Sequence, residues 1–438
     1  MKEHAGSYVL VLTVGTGNRD DLEGSLYSPL IKSISTGHWD HVVLLPSQST
    51  VEQAVELKKR IHTSPVKIRP IPDHGDENDA DACFTHFDSV LGGTIADGFS
   101  PAQITLDFTR GTKAMSAALV LAGVGREIPV LRYIQGMRGR TGSVQPGTEK
   151  IREVRTEAAS ARQQLDQAER LMKRGAFEAV CALHNDRHPL PDTVPRELRN
   201  KFESFGAVAD IYAAWDRFDF SGAAAKLEKY LQRAGAFTPT PDMEDWIATL
   251  SREVVPAKYA ETALHLRHLV CDILASAERR LRDGHYEDAG IRCYRVLELV
   301  GQVRLFDRGY DSSCLPGDDP KVEGFQKKQR KKKRNPLSEN TSKELQGTFK
   351  AARNQVAFFL SFLGDPLAKK LIMFGESEEH VKARNVGILI HGFEAKAARL
   401  GTQRLEEHIC KLEALLLEDD PGAAKRLAVA RSLDFSGT

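Results

Sequence analysis

The feature that most constrains the fold is an alternation of short apolar runs and amphipathic stretches over the first 136 residues. The first run, Tyr8–Val14, is rich in β-branched residues and ends at Gly15, as a buried strand does. Strands that alternate with helices predict right-handed crossovers and a mostly parallel sheet with helices on both faces. Such sheets bind ligands at the carboxyl ends of their strands. Further runs of this kind lie at 41–45, 66–71, 104–108 and 129–134, with helical patterns at 50–61 and 112–124.

The rest of the chain has a different pattern. Residues 137–150 are polar and Gly-rich, which is typical of a loop or linker. From Ile151 onward the sequence predicts long helices, with helix–helix turns at 174–180, 217–224 and 283–289. We therefore expect an α/β domain at 1–150, a helical connector at 151–255 and an all-α domain at 256–438.

Composition limits the class of protein. The chain has 438 residues, 41% hydrophobic and 28% charged, and its formal net charge of +1 argues against a basic, histone-like nucleic-acid binder. A local basic run at Lys327–Arg334 is either a solvated loop or a nucleic-acid contact. The six cysteines form no CxxC pair, and no leader or run of ~18 apolar residues is present, so we expect a cytoplasmic protein without a membrane span.

Two glycine-containing loops follow predicted strands. In the first, at 14–18, Gly15 and Gly17 permit a tight turn, but Asp20 replaces the third glycine of a dinucleotide fingerprint and argues against NAD or FAD. In the second, at 107–115, the amides of Gly111 and Lys113 would form a phosphate cradle that is not a Walker loop. The alternative for the second loop is an ordinary capped helix.

A third loop and a C-terminal segment complete the candidates. Residues 47–50, Ser-Gln-Ser-Thr, are predicted at the same sheet edge. Their hydroxyls would either contact a base or ribose or cap a helix. In the segment 382–394, Arg384 and His391 are two helical turns apart, about 10.5 Å along one face. Asn385 lies beside Arg384. The alternative is that Arg384 and His391 are ordinary surface residues.

These features together resemble a type III CRISPR-associated accessory ribonuclease. The strings at 12–18 and 107–115 resemble a CARF domain, the Rossmann-like sensor of cyclic oligoadenylates. The resemblance implies a cyclic oligoadenylate activator, with tetra-adenylate expected over hexa-adenylate, and neither a cofactor nor a metal. The implied ligand-binding residues are Gly15, Thr16, Gly17, Asn18, Ser47, Thr109, Arg110, Gly111, Thr112 and Lys113.

The C-terminal part resembles a HEPN ribonuclease domain, whose signature is met by Arg384, Asn385 and His391; the helix Ile291–Leu305 is also similar to one in such ribonucleases. The resemblance implies a homodimeric, metal-independent endoribonuclease of antiviral defence that cuts single-stranded RNA. His391 would act near the 2′-hydroxyl, Arg384 would hold the phosphate and Asn385 would orient the pair. The predicted RNA-binding residues are Lys331, Lys332 and Lys333. The alternative is a CARF-gated transcription regulator with a DNA-binding helical domain.

Overall fold

The computed structural model describes residues 7–137, 147–232, 240–332, 334–342, 345–377 and 396–432, with only the backbone of 375–377 and 396–401. The chain forms two compact units. The first contains residues 1–167 and 187–202, and the second contains 168–186 and 203 onward. The domain boundaries expected at 150 and 255 remain predictions.

The first unit is built on a six-stranded sheet in the order β3-β2-β1-β4-β5-β6. The first five strands run parallel, and β6 pairs antiparallel with β5 at the edge. This confirms the predicted α/β fold with a Rossmann-like parallel sheet. The strands are β1 (Val9–Val14), β2 (His41–Pro46), β3 (Val66–Ile68), β4 (Ile104–Asp107), β5 (Val130–Gln135) and β6 (Lys150–Arg155).

Helices cover both faces of this sheet. They are α1 (Ser28–Ser35), α2 (Val51–Arg60), α3 (Ala80–Ala96) and α4 (Lys113–Gly125). All six residues of β1 are buried, and they alternate between the two faces. Val9 and Val11 join a core with α3 and α4, whereas Leu10 and Leu12 join a second core with α1 and α2. The central strand is thus fixed from both sides by side chains that each contribute ~1.5–3 kcal/mol on burial.

The chain after the sheet is mostly helical, as predicted. The three expected helix–helix turns are confirmed, and each contains a left-handed residue, with φ of 79° at Gly175, 63° at Phe218 and 79° at Gly284. The helices are α5 (Glu157–Lys173), α6 (Phe177–Arg187), α7 (Arg196–Asp216), α8 (Phe220–Leu231), α9 (Pro241–Ser251), α10 (Tyr259–Arg282), α11 (Tyr286–Phe306), α12 (Pro320–Lys331), α13 (Arg353–Phe362), α14 (Ala368–Ser377), α15 (Lys396–Asp419) and α16 (Ala423–Arg431).

Strands also occur where the sequence predicted only loops and helices. β6 was missed because an edge strand with an exposed, charged sequence lacks apolar alternation. A second sheet, in the order β7-β9-β8, has strands too short to show a period. These are β7 (Leu315–Pro316), β8 (Ser338–Glu339) and β9 (Thr348–Lys350).

Much of the basic run is helical rather than a loop, because it continues α12 as far as Lys331. The Asp319 carboxylate caps this helix by accepting hydrogen bonds from the backbone N–H groups of Lys321 and Val322, at 2.7 and 3.1 Å. Val322 and Phe325 are buried on its inner face. The cap and this apolar stripe form a helix in which the lysines occupy the exposed side.

Candidate ligand and catalytic sites

The three loops selected from the sequence follow β1, β2 and β4 at one edge of the sheet. In the parallel register Val14 pairs with Pro46, and Leu12 pairs with Asp107. The carboxyl ends of these adjacent strands therefore lie side by side. The loops contain every ligand-binding residue that the resemblance implies: Gly15, Thr16, Gly17, Asn18, Ser47, Thr109, Arg110, Gly111, Thr112 and Lys113.

Two of the loops touch through glycine. A Cβ placed on Gly15 would lie 2.8 Å from the backbone nitrogen of Gly111, closer than any side chain tolerates. Gly111 itself has φ of 143°, and Gly17 has φ of 66°, in the region that favours glycine. Glycine at these positions allows two backbones to meet at the sheet edge and leaves their surface open.

Four of the candidate residues are exposed at this edge, namely Thr16, Asn18, Gly111 and Lys113. The backbone N–H of Asn18 donates to the Ser25 hydroxyl at 2.6 Å, which holds the first loop in place. Lys113 is the first residue of α4, whose N-terminus carries partial positive charge from the helix dipole. An exposed lysine at the N-terminus of a helix is suited to a phosphate group.

Thr109 and Thr112 shape the third loop. The Thr109 hydroxyl donates to the Asp107 carboxylate and accepts a hydrogen bond from the backbone N–H of Ile134 at 3.0 Å. The Thr112 hydroxyl donates to the carbonyl of Glu77 and accepts from the N–H of Met115 at 3.1 Å, as the N-cap of α4. Both hydroxyls are thus engaged within the protein, and the half-buried Arg110 lies between them in the chain.

Ser47 is buried, with 2% of its surface exposed. Its hydroxyl lies 2.8 Å from that of Ser49 and 3.1 Å from that of Thr50. The Thr50 hydroxyl in turn donates to the carbonyl of Val14 at 2.9 Å. The sequence allowed either a ligand contact or a helix cap at this loop, and these hydrogen bonds are those of a cap. The bond from Thr50 to Val14 also holds the loop after β2 against the end of β1.

A buried charge pair behind this edge was not predicted. The Arg132 side chain, 5% exposed, lies 3.5 Å from the Asp107 carboxylate, which also accepts a hydrogen bond from the Ser33 hydroxyl. Burial lowers the pKa of Arg132, while Asp107 opposes that change. The pair fixes the end of β4, from which the third loop starts. The Asp-x-Thr spacing at 107–109 was the available signal, since Asp107 also accepts the N–H of Thr109 at 2.8 Å.

The proposed catalytic residues Arg384, Asn385 and His391 lie outside the described residues, and so does Lys333. Lys331 and Lys332 are exposed at the end of α12. Two neighbouring cations lie over aromatic rings, with Lys328 Nζ 5.1 Å from the centre of Phe362 and the Arg334 guanidinium 4.4 Å from that of Phe358. Basic groups interleaved with rings are typical of surfaces that bind single-stranded nucleic acid.

Within the described ranges, His, Cys, Asp and Glu side chains form no group of three placed to hold a metal ion. The metal independence of the reaction stays a prediction. Among the helices that the structure describes, none combines the length and hydropathy needed to cross a membrane.

Comparison with known proteins gives likenesses of three kinds. Residues 261–414 match the family described as the Csm6 HEPN domain. A CRISPR system endoribonuclease Csm6 from Thermus thermophilus is 25% identical over 350 residues, which cover 72% of this chain and 68% of the relative. A structure of Enterococcus italicus Csm6 bound to cyclic hexa-2′-fluoro-hexa-dAMP spans 98% of this chain and 100% of that one, with a TM-score of 0.49 and 14% identity.

The family match and the Thermus relative confirm the predicted resemblance to a CARF–HEPN accessory ribonuclease of type III CRISPR systems. The matched region begins in α10 and extends into α15. It includes the positions of Arg384, Asn385 and His391 in the sequence.

Proposed function

We propose that this protein is a cyclic-oligoadenylate-activated endoribonuclease of type III CRISPR antiviral defence that cleaves single-stranded RNA without a metal ion. The observation that carries the proposal is the HEPN family match over 261–414, because this region contains the Arg384–Asn385–His391 signature. A transcription regulator with a CARF sensor, the alternative, has no use for that signature. We expect the enzyme to act in the cytoplasm.

The proposed chemistry uses the nucleophile that RNA itself carries. His391 removes the proton of a 2′-hydroxyl, the resulting oxyanion attacks the adjacent phosphorus, and the expelled 5′-oxygen takes up a proton from solvent. Arg384 holds the phosphate and offsets the charge that develops in the transition state, and Asn385 orients both groups. The products then carry a 2′,3′-cyclic phosphate and a 5′-hydroxyl. DNA lacks the 2′-hydroxyl and is inert in this mechanism.

The proposed activator binds at the carboxyl edge of the sheet. The phosphates of cyclic oligoadenylate would meet Lys113 and the N-terminal amides of α4, while the exposed Thr16 and Asn18 contact the nucleotides. The buried hydroxyls of Ser47, Thr109 and Thr112 support the loops. We expect cyclic tetra-adenylate to activate more strongly than cyclic hexa-adenylate.

The first experiment measures RNA cleavage by purified protein with each cyclic oligoadenylate added in turn. Wild type should cut only RNA, and mass spectrometry should find 2′,3′-cyclic phosphate ends. His391→Ala and Arg384→Ala should abolish cleavage but still bind the activator, whereas Lys382→Ala should retain cleavage as the matched control. Ends with a 3′-hydroxyl and 5′-phosphate, or activity removed by EDTA, would show a metal nuclease and reject the mechanism.

A second experiment locates the sensor. Lys113→Ala should raise the activator concentration needed for half-maximal cleavage by about tenfold, because a charge-assisted contact to phosphate is lost. Saturating activator should restore wild-type cleavage. Lys58→Ala, a lysine on the exposed side of α2, is the control. Unchanged calorimetric affinity of Lys113→Ala for cyclic tetra-adenylate would place the activator elsewhere.

A further inference from the structure

The first unit contains a second concave site away from the carboxyl edge. It is a cavity of about 400 Å³ between α3 and the β2–β3 side of the sheet. Its walls include Val9 and His41, the first residues of β1 and β2. They lie at the end of the strands opposite to the three candidate ligand-binding loops. Its volume falls in the ~300–1,000 Å³ range of small-molecule sites.

The cavity exists because β3 breaks the rule that both faces of a parallel sheet are apolar. Val66 and Ile68 pack into the core shared with α1 and α2. The alternate positions, Lys67 and Arg69, face the other side and line the cavity beneath α3. Two cations thus occupy the places where aliphatic side chains would have completed the core.

The lining carries an excess of positive charge. Lys67 Nζ lies 3.5 Å from the Asp97 carboxylate, the acidic group in the cavity wall. Arg69 forms no ion pair with any residue that the structure describes, and its side chain donates only to the carbonyl of Ile68, at 3.5 Å. Because one carboxylate faces two permanent cations, an anionic group bound beside Arg69 would be stabilised.

His41 forms part of the wall through its ring. His41 Nδ1 is buried and has no hydrogen-bond partner among the described residues. The ring of His41 packs edge-on against Phe99, with centroids 5.5 Å apart and an interplanar angle of 80°. Because this nitrogen is inaccessible even to water, His41 contributes to the cavity wall through the other atoms of its ring and not as a hydrogen-bonding group.

The remaining lining combines apolar side chains with the polar His86, Ser89 and Thr94. Val43 and Val90 line the floor, and Gly93 of α3 leaves the wall open. A Cβ placed on Gly93 would have no atom within 4 Å. The cavity therefore places apolar side chains next to a cationic rim, which suits a base joined to a phosphate.

We infer that the cavity between α3 and β3 binds a nucleoside monophosphate, with its phosphate at Arg69 and Lys67 and its base against Val43 beside His41. Inorganic phosphate alone would leave the apolar floor unused. An uncharged nucleoside would leave Arg69 unpaired. This site is separate from the proposed activator site and does not depend on ribonuclease activity.

The test is calorimetry of the full-length protein with 5′-AMP, adenosine and inorganic phosphate. Saturating cyclic tetra-adenylate is present throughout, so that the activator site is occupied. We expect 5′-AMP to bind at millimolar concentrations or below, and more tightly than either fragment. Arg69→Ala should weaken this binding by about tenfold or more, because a charged contact to phosphate is lost. Lys58→Ala, on the other face of the sheet, should not.

A second variant fills the cavity without removing charge. Gly93→Leu should abolish 5′-AMP binding and preserve the melting temperature, since leucine forms helices better than glycine. Gly125→Leu is the matched control, because a Cβ there also has no atom within 4 Å but lies at the end of α4. Absence of 5′-AMP binding, unchanged binding in Gly93→Leu, or equal affinity for inorganic phosphate would each overturn the inference. RNA cleavage that fails in the earlier experiment would leave this result unaffected.

Discussion

Gly15 is the residue at which a single added carbon has the clearest structural cost. In Gly15→Ala the new Cβ would lie 2.8 Å from a backbone nitrogen, that of Gly111, which cannot rotate away as a flexible side chain does. We expect the two loops to separate, the protein to lose about 1–3 kcal/mol of stability, and activator affinity to fall. Urea denaturation and calorimetry measure the two effects. Gly125→Ala, in open space, should cause neither, and a Gly15→Ala protein with wild-type affinity would contradict the assigned edge.

Asp272 is a buried carboxyl in α10 whose ionisation opposes folding. Its Oδ1 accepts the indole N–H groups of Trp215 and Trp246 at 2.8 and 3.1 Å. Burial raises its pKa to about 6, although Arg279 and the two indoles favour the charged form. Because the folded pKa lies above the unfolded one, the carboxyl is least costly when protonated. Stability therefore falls as the pH rises from about 4 to about 6, by on the order of 2–3 kcal/mol, and then stays level.

Asp272→Asn should remove this step, because an amide still accepts from both tryptophans but does not titrate. The measurement is the free energy of unfolding, by urea, of wild type and variant at about pH 4 and about pH 7. Wild type should lose more stability than the variant over this interval. Asp318→Asn, at an exposed aspartate, serves as the control. Parallel pH profiles for wild type and Asp272→Asn would show that Asp272 does not titrate in this window.

At the residue scale, the sequence indicated which residues lie at the sheet edge better than it indicated their hydrogen-bond partners. The glycine turns at 15 and 111 followed from their place after strands, and they meet as a parallel sheet requires. Thr109 and Thr112 stay predicted ligand-binding residues, and the sequence did not indicate that their hydroxyls bond within the protein. Residue type does not reveal which acceptor the tertiary fold brings near, so Asp107 was also missed.

At the scale of elements, the proposed contact of the basic side of α12 with RNA can be tested by its salt dependence. Neutralising Lys331, Lys332 and Lys333 together should raise the RNA concentration needed for cleavage and leave the chemistry intact. Each lost phosphate contact should lower the salt slope of binding by ~0.7, the value for single strands. Filter binding and cleavage rates over a salt series measure this, with Lys58→Ala/Lys59→Ala as the control. Identical salt slopes for wild type and the variant would show that this segment is a solvated surface and does not contact RNA.

Element prediction succeeded where a long apolar signal was present. β1 and β2 lie within one residue of their predicted bounds, because buried parallel strands are continuous apolar runs. β6 carries charges on an exposed edge and shows no such run. β3 was identified as a strand, but its alternation of Val66, Lys67, Ile68 and Arg69 was not read as one apolar and one cationic face. That alternation was the signal for the cavity under α3.

At the scale of the whole molecule, the proposed separation of sensing and cutting follows from how each part is built. The parallel sheet brings distant loops to one edge, where backbone amides and Lys113 are available to an anion. The helical part matches a HEPN domain, whose proposed signature lies on one segment of chain. Substitutions in the proposed activator site should therefore leave the chemistry of RNA cleavage measurable. Substitutions in the proposed catalytic site should leave activator binding measurable, so the two proposed functions can be tested separately.

The proposed activator also predicts the oligomeric state. A cyclic oligoadenylate with an even number of nucleotides has rotational symmetry, and a site of matching symmetry forms when two identical sheet edges face each other across a two-fold axis. We expect light scattering to give about twice the 48.5 kDa mass of the single chain, with and without cyclic tetra-adenylate. A dilution series should show the dimer persisting further when the activator is present, because a ligand held by both copies links them. A mass of 48.5 kDa under both conditions would leave half of the ring in solvent and would contradict recognition by two copies of the edge.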